Sequence, residues 1–236
     1  MKKVVTLAGD GEYESHLTMK PVIDRIRALG DIEVDYRTPD VTDDYPLFPE
    51  STFGGLEALA DADLLIMYTR FRILPDDETE AIANYLAGGG NLLALRTSSH
   101  AFRPVPESQW FNWTTGFGRD VIGSEWIAHH GHKSTTEVTQ VADHQILRDV
   151  PSRFTVGSWL YVTRPPVDAT VLLCGEPVDP EIEPTPSPVA WVREHGAQRT
   201  FYTSLGSQTD LQREDVLQLI SNAAEWCLHR AATRAQ

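Results

Sequence analysis

The sequence predicts an α/β fold, a parallel sheet with helices on both faces. Three observations lead there. Short apolar runs alternate four times with amphipathic stretches between residues 3 and 95, which is the pattern of consecutive βαβ units. Most of these runs are apolar throughout rather than every second residue, as strands are when both of their faces are covered. No internal repeat and no flexible linker interrupts the chain, so residues 1–236 are expected to form a single domain.

Each element has its own reason. Residues 3–8 form an apolar run that meets Gly9-Asp10-Gly11, a strand followed by a turn. Residues 18–29 place Met19, Val22, Ile23, Ile26 and Leu29 at helical spacing, with Pro21 in the first turn and Gly30 as a stop, positions where those two residues are tolerated. Residues 32–36 alternate as a second strand, and residues 63–68 are a third, buried one. Pro75, Asp76, Asp77 and Glu78 open a helix ending at Gly88-Gly89-Gly90, its acids lying where the helix dipole favours negative charge. Residues 91–95 are the fourth strand. Beyond it the pattern loosens. Residues 110–123 are expected to form a helix and an excursion loop, 136–141 and 169–174 strands, and 177–188 a Pro/Glu loop. Residues 188–192 and 199–203 flank His195-Gly196-Ala197 as a hairpin, and 215–229 close the chain as an amphipathic helix.

Composition excludes several functions. With 20 basic against 34 acidic residues the net charge is −14, a field that repels phosphate backbones and anionic membrane surfaces; no nucleic acid and no membrane is expected as a partner. Cys174 and Cys227 form no C-x-x-C pair and are read as small buried residues in a reducing compartment. The apolar run at the start is too short for a signal peptide, so the expected localisation is cytoplasmic.

Gly-x-Gly motifs at Gly9-Asp10-Gly11 and Gly116-Phe117-Gly118 are not phosphate loops. Glu12 and Glu14 would repel a pyrophosphate at the first, and no buried strand precedes the second. The end of the fourth strand, Leu95-Arg96-Thr97-Ser98-Ser99-His100, carries more weight, because open α/β sheets bind ligands outside the carboxyl ends of their strands. Arg96, Ser98 and His100 leave the sheet there, and Glu12, Tyr13 and His16 follow the first strand. A serine in this turn is equally explained as a helix cap. Three of the eight histidines fall within WIAHHGHKSTTEV, as His129, His130 and His132. In an extended segment His130 and His132 share a face and His129 points away. Two histidines are half of a zinc or manganese site, the third ligand to come from His100, Glu12 or His16; the alternative is a solvated polar loop. His144 is expected to cap a turn and His195 to sit at the hairpin.

Four stretches, taken together and in order, resemble the ThuA-like (trehalose-utilisation) family, which is similar in fold to class I glutamine amidotransferases. They are Gly11-Glu12-Tyr13; Phe117-Gly118-Arg119-Asp120-Val121-Ile122-Gly123 running on to His129-His130-Gly131-His132; residues 143–151; and Pro188-Val189-Ala190-Trp191-Val192-Arg193 with Phe201-Tyr202-Thr203-Ser204-Leu205-Gly206. The resemblance implies a flavodoxin-like, doubly wound, mostly parallel sheet. It also implies a role in carbohydrate metabolism on sugars, keto-sugars or their glycosides. Two departures follow. The elbow after the fourth strand holds Arg96 where an amidotransferase needs a cysteine, so glutamine hydrolysis is excluded. Ser207 stands where the family commonly has a histidine.

Two hypotheses come forward, ahead of a third in which the chain is a metal-dependent hydrolase unrelated to sugars. In the first, the chain is an enzyme acting on a neutral sugar: His100 with His130 or His132 supplies acid/base chemistry. Arg96 holds a hydroxyl or developing oxyanion, and Trp126, with Trp110 and Trp113, offers a flat stacking face. With a divalent metal, His130 and His132 become its ligands and Glu12 the base. In the second, the chain is a non-catalytic sugar-binding or regulatory module. Homo-oligomer formation is compatible with either.

Overall fold

The structure is a computed structural model that describes residues 1–43, 48, 50–178 and 185–228. In chain order the elements are β1 (Lys2–Gly9), α1 (Ser15–Thr18), α2 (Lys20–Ala28), β2 (Ile32–Arg37), β3 (Leu64–Thr69), α3 (Asp76–Ala87), β4 (Asn91–Leu95) and α4 (Trp113–Gly116). They continue as β5 (Ala128–His129), β6 (Thr135–Gln140), β7 (Arg153–Val156), β8 (Tyr161–Val162), β9 (Thr170–Val178), β10 (Ser187–His195), β11 (Gln198–Thr203) and α5 (Glu214–Cys227). Among the described residues one sheet runs in the order β2-β1-β3-β4-β11-β10-β9-β6-β7. Its first five strands are mutually parallel, and they take the doubly wound flavodoxin-like order with β11 as the fifth strand. The remaining strands are antiparallel and extend the sheet as hairpins.

Each central strand feeds two cores, because successive side chains point to opposite faces. Val4, Ile66, Leu93 and Phe201 meet α2 and α5 on one face. Val5, Leu65, Leu92 and Tyr202 meet Ile82 of α3, the 3₁₀ turn Leu56–Asp61 and Phe117 on the other. This double burial is why the runs read as apolar throughout. The strand at Asn91–Leu95 has the bounds expected from sequence, and the others shift by a residue or two as element ends commonly do. Two strands run further than expected: β9 reaches Val178 and β10 begins at Ser187. Most of the Pro/Glu loop between them, and His229, lie outside the described residues. Strands β5, β7 and β8 were not expected; two-residue and four-residue strands are too short to leave a period. Among the described residues no helix is long and apolar enough to cross a membrane.

The stretch 110–123 resolves into α4 and a π-helical turn, Phe117–Ile122. Its backbone lies against the 3₁₀ turn Arg96–His100 that follows β4. A Cβ built on Gly118 would stand 2.0 Å from the Ser99 carbonyl oxygen, so only glycine permits this approach. Gly118→Ala is expected to lower stability by about 3 kcal/mol, at the upper end of overpacking costs. Urea unfolding measures it, and a midpoint equal to the parent's would show that the two turns separate freely.

Candidate functional site

The parallel order reverses at β1, which has β2 on one side and β3 on the other. In open α/β sheets ligands bind in the crevice outside the carboxyl ends of the strands at such a point. The chain leaves β1 through Asp10, whose buried carboxylate accepts the Tyr13 N–H at 2.8 Å and the Thr97 hydroxyl. This ties the exit of β1 to that of β4 and turns Tyr13 inward. After β4, Arg96 takes φ 43°, the left-handed region that a side chain adopts at a cost. The Tyr202 hydroxyl donates to its carbonyl at 2.7 Å.

The Arg96 guanidinium donates to the Ser204 carbonyl at 2.7 Å and to the Tyr13 hydroxyl at 2.8 Å. It lies 4.5 Å from the centre of the Tyr13 ring and 4.7 Å from that of Tyr161. Among the described residues it makes no ion pair, and its Nε has no partner. Burial works against the charge, and the phenols of Tyr161, Tyr13 and Tyr68 more than offset it, so Arg96 stays a cation. The residue is 0% exposed. This corrects the sequence expectation that Arg96 holds a substrate oxygen directly: two tyrosine rings and the β11 exit enclose it.

His100 does reach the rim. Its backbone is fixed by the Phe71 N–H, which donates to the His100 carbonyl at 3.0 Å. Its ring packs 4.8 Å from Phe71, 5.6 Å from Trp126 and 6.2 Å from Tyr161, centre to centre. Ser99 Oγ lies 3.1 Å from His100 Nδ1 and donates to the Arg96 carbonyl. In the tautomer that carries its proton on Nδ1, the ring donates to Ser99 Oγ and Nε2 keeps the lone pair. Burial first, then the positive charges of Arg70 and Arg96 and the neighbouring His129, push His100 well below its ordinary pKa. The imidazole is neutral at pH 7. Ser98 is different: it is fully buried, donates to the Met67 carbonyl at 2.9 Å and accepts from Thr69 N–H at 3.3 Å. Expected as a substrate contact, it is instead spent on tying β4's exit to β3.

The histidine-rich stretch is carried over this rim by the ribbon of β5 and β8, in which His129 stands opposite Tyr161. The chain then turns, the Ser134 N–H donating to the Gly131 carbonyl at 3.0 Å. That turn corrects the shared face expected of His130 and His132, which assumed an extended chain. His132 folds back to lie 5.2 Å from the ring of His129 and stacks on Trp159 at 4.2 Å. His130 is buried, without a ring contact, and its Nδ1 has no partner among the described residues. His129, expected to point away, is the member near the crevice, 6.5 Å from Tyr161 and 6.3 Å from Trp126. Its Nδ1–H donates to the His130 carbonyl at 2.7 Å. Among the described residues no three His, Cys, Asp or Glu side chains gather as a metal ion requires. His130 and His132 do not form a ligand pair with His100, Glu12 or His16.

Glu12 stands at the mouth, paired with Arg70 at 3.0 Å. His16 faces elsewhere, lining a groove with Leu17, Lys20, Ile23, Arg27 and Tyr36 beside β2. It takes no part in the cluster around Arg96. Trp126 is 41% exposed and in ring contact with His100 at 5.6 Å. Trp113 instead packs on Phe102 and Phe117, and Trp110 packs on Trp113. His144 caps its turn as expected, Nδ1 accepting the Ile146 N–H at 3.2 Å. Ser207 lies on a loop held by buried Asp210, and its own hydroxyl meets Thr209 at 3.1 Å.

Sequence reasoning missed Tyr161, Tyr68 and His129. The one trace of Tyr161 was the aromatic pair Trp159 and Tyr161 two positions apart in Ser158-Trp159-Leu160-Tyr161. Together the groups set a neutral imidazole, phenols over a buried cation and an exposed indole beside one another at the carboxyl end of the sheet.

The comparisons agree with this architecture. The chain is similar along 99% of its length to a ThuA-like protein from Parabacteroides merdae, covering 92% of that chain at 14% identity with a TM-score of 0.68. A cytoplasmic protein from Salmonella typhimurium matches 96% of this chain and 98% of its own at 13% identity and a TM-score of 0.59. A glutamine amidotransferase from Thermotoga maritima matches over the same shares at 14% identity and 0.56. At such identities these likenesses show the fold alone. No curated protein matches. The family model for trehalose utilisation, ThuA, matches residues 3–227, and the chain belongs to the ThuA family.

Proposed function

We propose that this ThuA-family chain is an enzyme of carbohydrate metabolism that moves a proton on a keto-sugar or its glycoside, with His100 as the base. The observation that carries the reading is His100 itself: a neutral imidazole with Nε2 unpartnered among the described residues, in ring contact with an exposed tryptophan. An unprotonated imidazole can take a proton from the carbon beside a carbonyl, the step that isomerisation of a keto-sugar and elimination from its glycoside share. The net charge of −14 favours a neutral ligand over a phosphorylated one, and the chain is read as cytoplasmic, with two free cysteines.

The test is incubation in D₂O with trehalose in which one ring hydroxyl has been oxidised to a ketone. Deuterium entering beside the ketone, followed by NMR, is the expected result. Trp126→Ala is expected to raise KM about 10-fold with kcat little changed, the loss of one stacking face being about 1.4 kcal/mol; an unchanged KM would remove Trp126 from the ligand. One observation favours a second reading, a sugar-binding module without turnover: Ser207 occupies the position where the family commonly has a histidine. Saturable binding of the keto-sugar with no deuterium uptake after long incubation would establish that reading and end the first.

A further inference from the structure

We infer that the hydroxyl of Tyr161 is the proton donor of this site, protonating the carbonyl oxygen as His100 removes the proton from the neighbouring carbon. The inference rests on the reading of His100 as a base and adds the acid that such a step requires. A carbonyl oxygen that gains negative charge needs a donor, and Arg96 is enclosed. What the crevice meets in its place is the layer of tyrosines around it.

Four tyrosines surround the Arg96 segment, and they are not equivalent. Tyr68 donates its hydroxyl to the Gly206 carbonyl at 2.6 Å, and Tyr202 donates to the Arg96 carbonyl at 2.7 Å. Tyr13 accepts from Arg96 at 2.8 Å, and its ring neighbour is Tyr68 at 6.3 Å rather than His100. Tyr161 alone of the four has no hydrogen bond to its hydroxyl among the described residues. It is 4% exposed, and its ring flanks His100 at 6.2 Å with the Arg96 guanidinium 4.7 Å from its centre. The hydroxyl is not among the buried groups left without a partner, so the oxygen keeps access to solvent at the rim although the ring is enclosed. The β5–β8 ribbon fixes its place, since Tyr161 is in register with His129.

The step balances without an oxidant or a second reactant. The C–H bond next to the carbonyl breaks and its proton goes to His100 Nε2. The electron pair forms the carbon–carbon double bond, the carbonyl π pair moves to oxygen, and that oxygen takes the Tyr161 proton. The phenolate left behind faces Arg96, and return of the proton from the enol restores it. Burial keeps the phenol well above its ordinary pKa, with Arg96 opposing that rise, so Tyr161 is protonated at neutral pH and its ionised form is stabilised by the cation beside it.

The experiment compares the parent, Tyr161→Phe, Tyr13→Phe and His100→Asn for deuterium uptake by the keto-trehalose, with KM and kcat measured separately. Tyr161→Phe keeps the ring that packs on Arg96 and loses only the hydroxyl; its melting temperature is the control for folding. The expected result is a fall in kcat of about 100-fold or more in Tyr161→Phe, within the usual range for loss of an acid, with KM changed less than about 3-fold. Tyr13→Phe is expected to lose much less. Tyr161→Phe turning over like the parent while His100→Asn is inactive overturns the inference and leaves the proposed function standing. So does a loss confined to Tyr13→Phe. Absence of uptake by the parent overturns both.

Discussion

Replacing His100 by Asn is expected to slow deuterium uptake from the keto-sugar by about 10²–10⁴-fold, the contribution of a positioned base. Asn keeps a polar group at the rim and one contact to Ser99 but has no basic lone pair. The loss should therefore appear in kcat, with binding of the sugar retained against Trp126. Partial recovery of His100→Ala by added imidazole would tie the loss to the missing base rather than to altered packing with Phe71 and Trp126. A variant with kcat within a few-fold of the parent would remove His100 from the chemistry.

The pH dependence is set by the direction of the shift. His100 is held well below the ordinary histidine value, by burial first and then by Arg70, Arg96 and His129. The base form therefore persists as pH falls through about 6.5, the value of an unperturbed histidine, and kcat is expected to stay level there and decline only at lower pH. Stability moves in the same window. Below about pH 6.5 the unfolded chain binds a proton at this position while the native one does not, so the native state loses up to about 1.4 kcal/mol per pH unit from this group. His100→Asn should lack that slope. His144 is also shifted down, and because it is present in both proteins the comparison isolates His100.

What the sequence discloses and what it hides follow from range. Strand β4 and the helices packed on it are specified locally: Leu92 and Leu93 each need a covered face, and Pro75 and Gly88 mark the helix between β3 and β4. The elbow at Arg96 was visible because it ends a buried run. The environment of Arg96 was not, since it depends on Tyr13, Tyr161 and Ser204, brought together only by folding. Ser98 looked available because its partners are backbone groups of β3, which leave no trace in a motif. The histidines were misassigned for a definite reason: side-chain alternation holds only while the chain is extended, and it turns at Gly131. The turn removes His132 from the face of His130, and the pairing of β5 with β8 sets His129 opposite Tyr161. Tyr161 was hidden because β8 holds only Tyr161 and Val162, too short for periodicity to act as a signal.

Asp210→Ala is expected to lower stability by about 3–5 kcal/mol, the cost of removing a buried charged acceptor from donors that cannot find another. Asp210 is fully buried and accepts the Gly157 N–H at 2.7 Å and the hydroxyl of Ser158. It shares the Gly206 and Ser207 N–H groups, at 3.2 and 3.3 Å, with Ser158 Oγ. On removal of the carboxylate the two loop amides keep Ser158, but Gly157 N–H is left with none of its protein partners. Asp210→Asn should lose less, because one oxygen still accepts while the amide group now faces other donors. The consequence reaches the site through Gly206, which sits at φ 128° and receives the Tyr68 hydroxyl on its carbonyl. A loosened loop frees Tyr68 and unsettles the wall that encloses Arg96. Activity should therefore fall in Asp210→Asn while the protein is still folded at 25 °C. An Asp210→Ala variant that unfolds at the parent's urea midpoint, with the same denaturant slope, would mean that the Gly206–Ser207 loop holds its shape without this carboxylate.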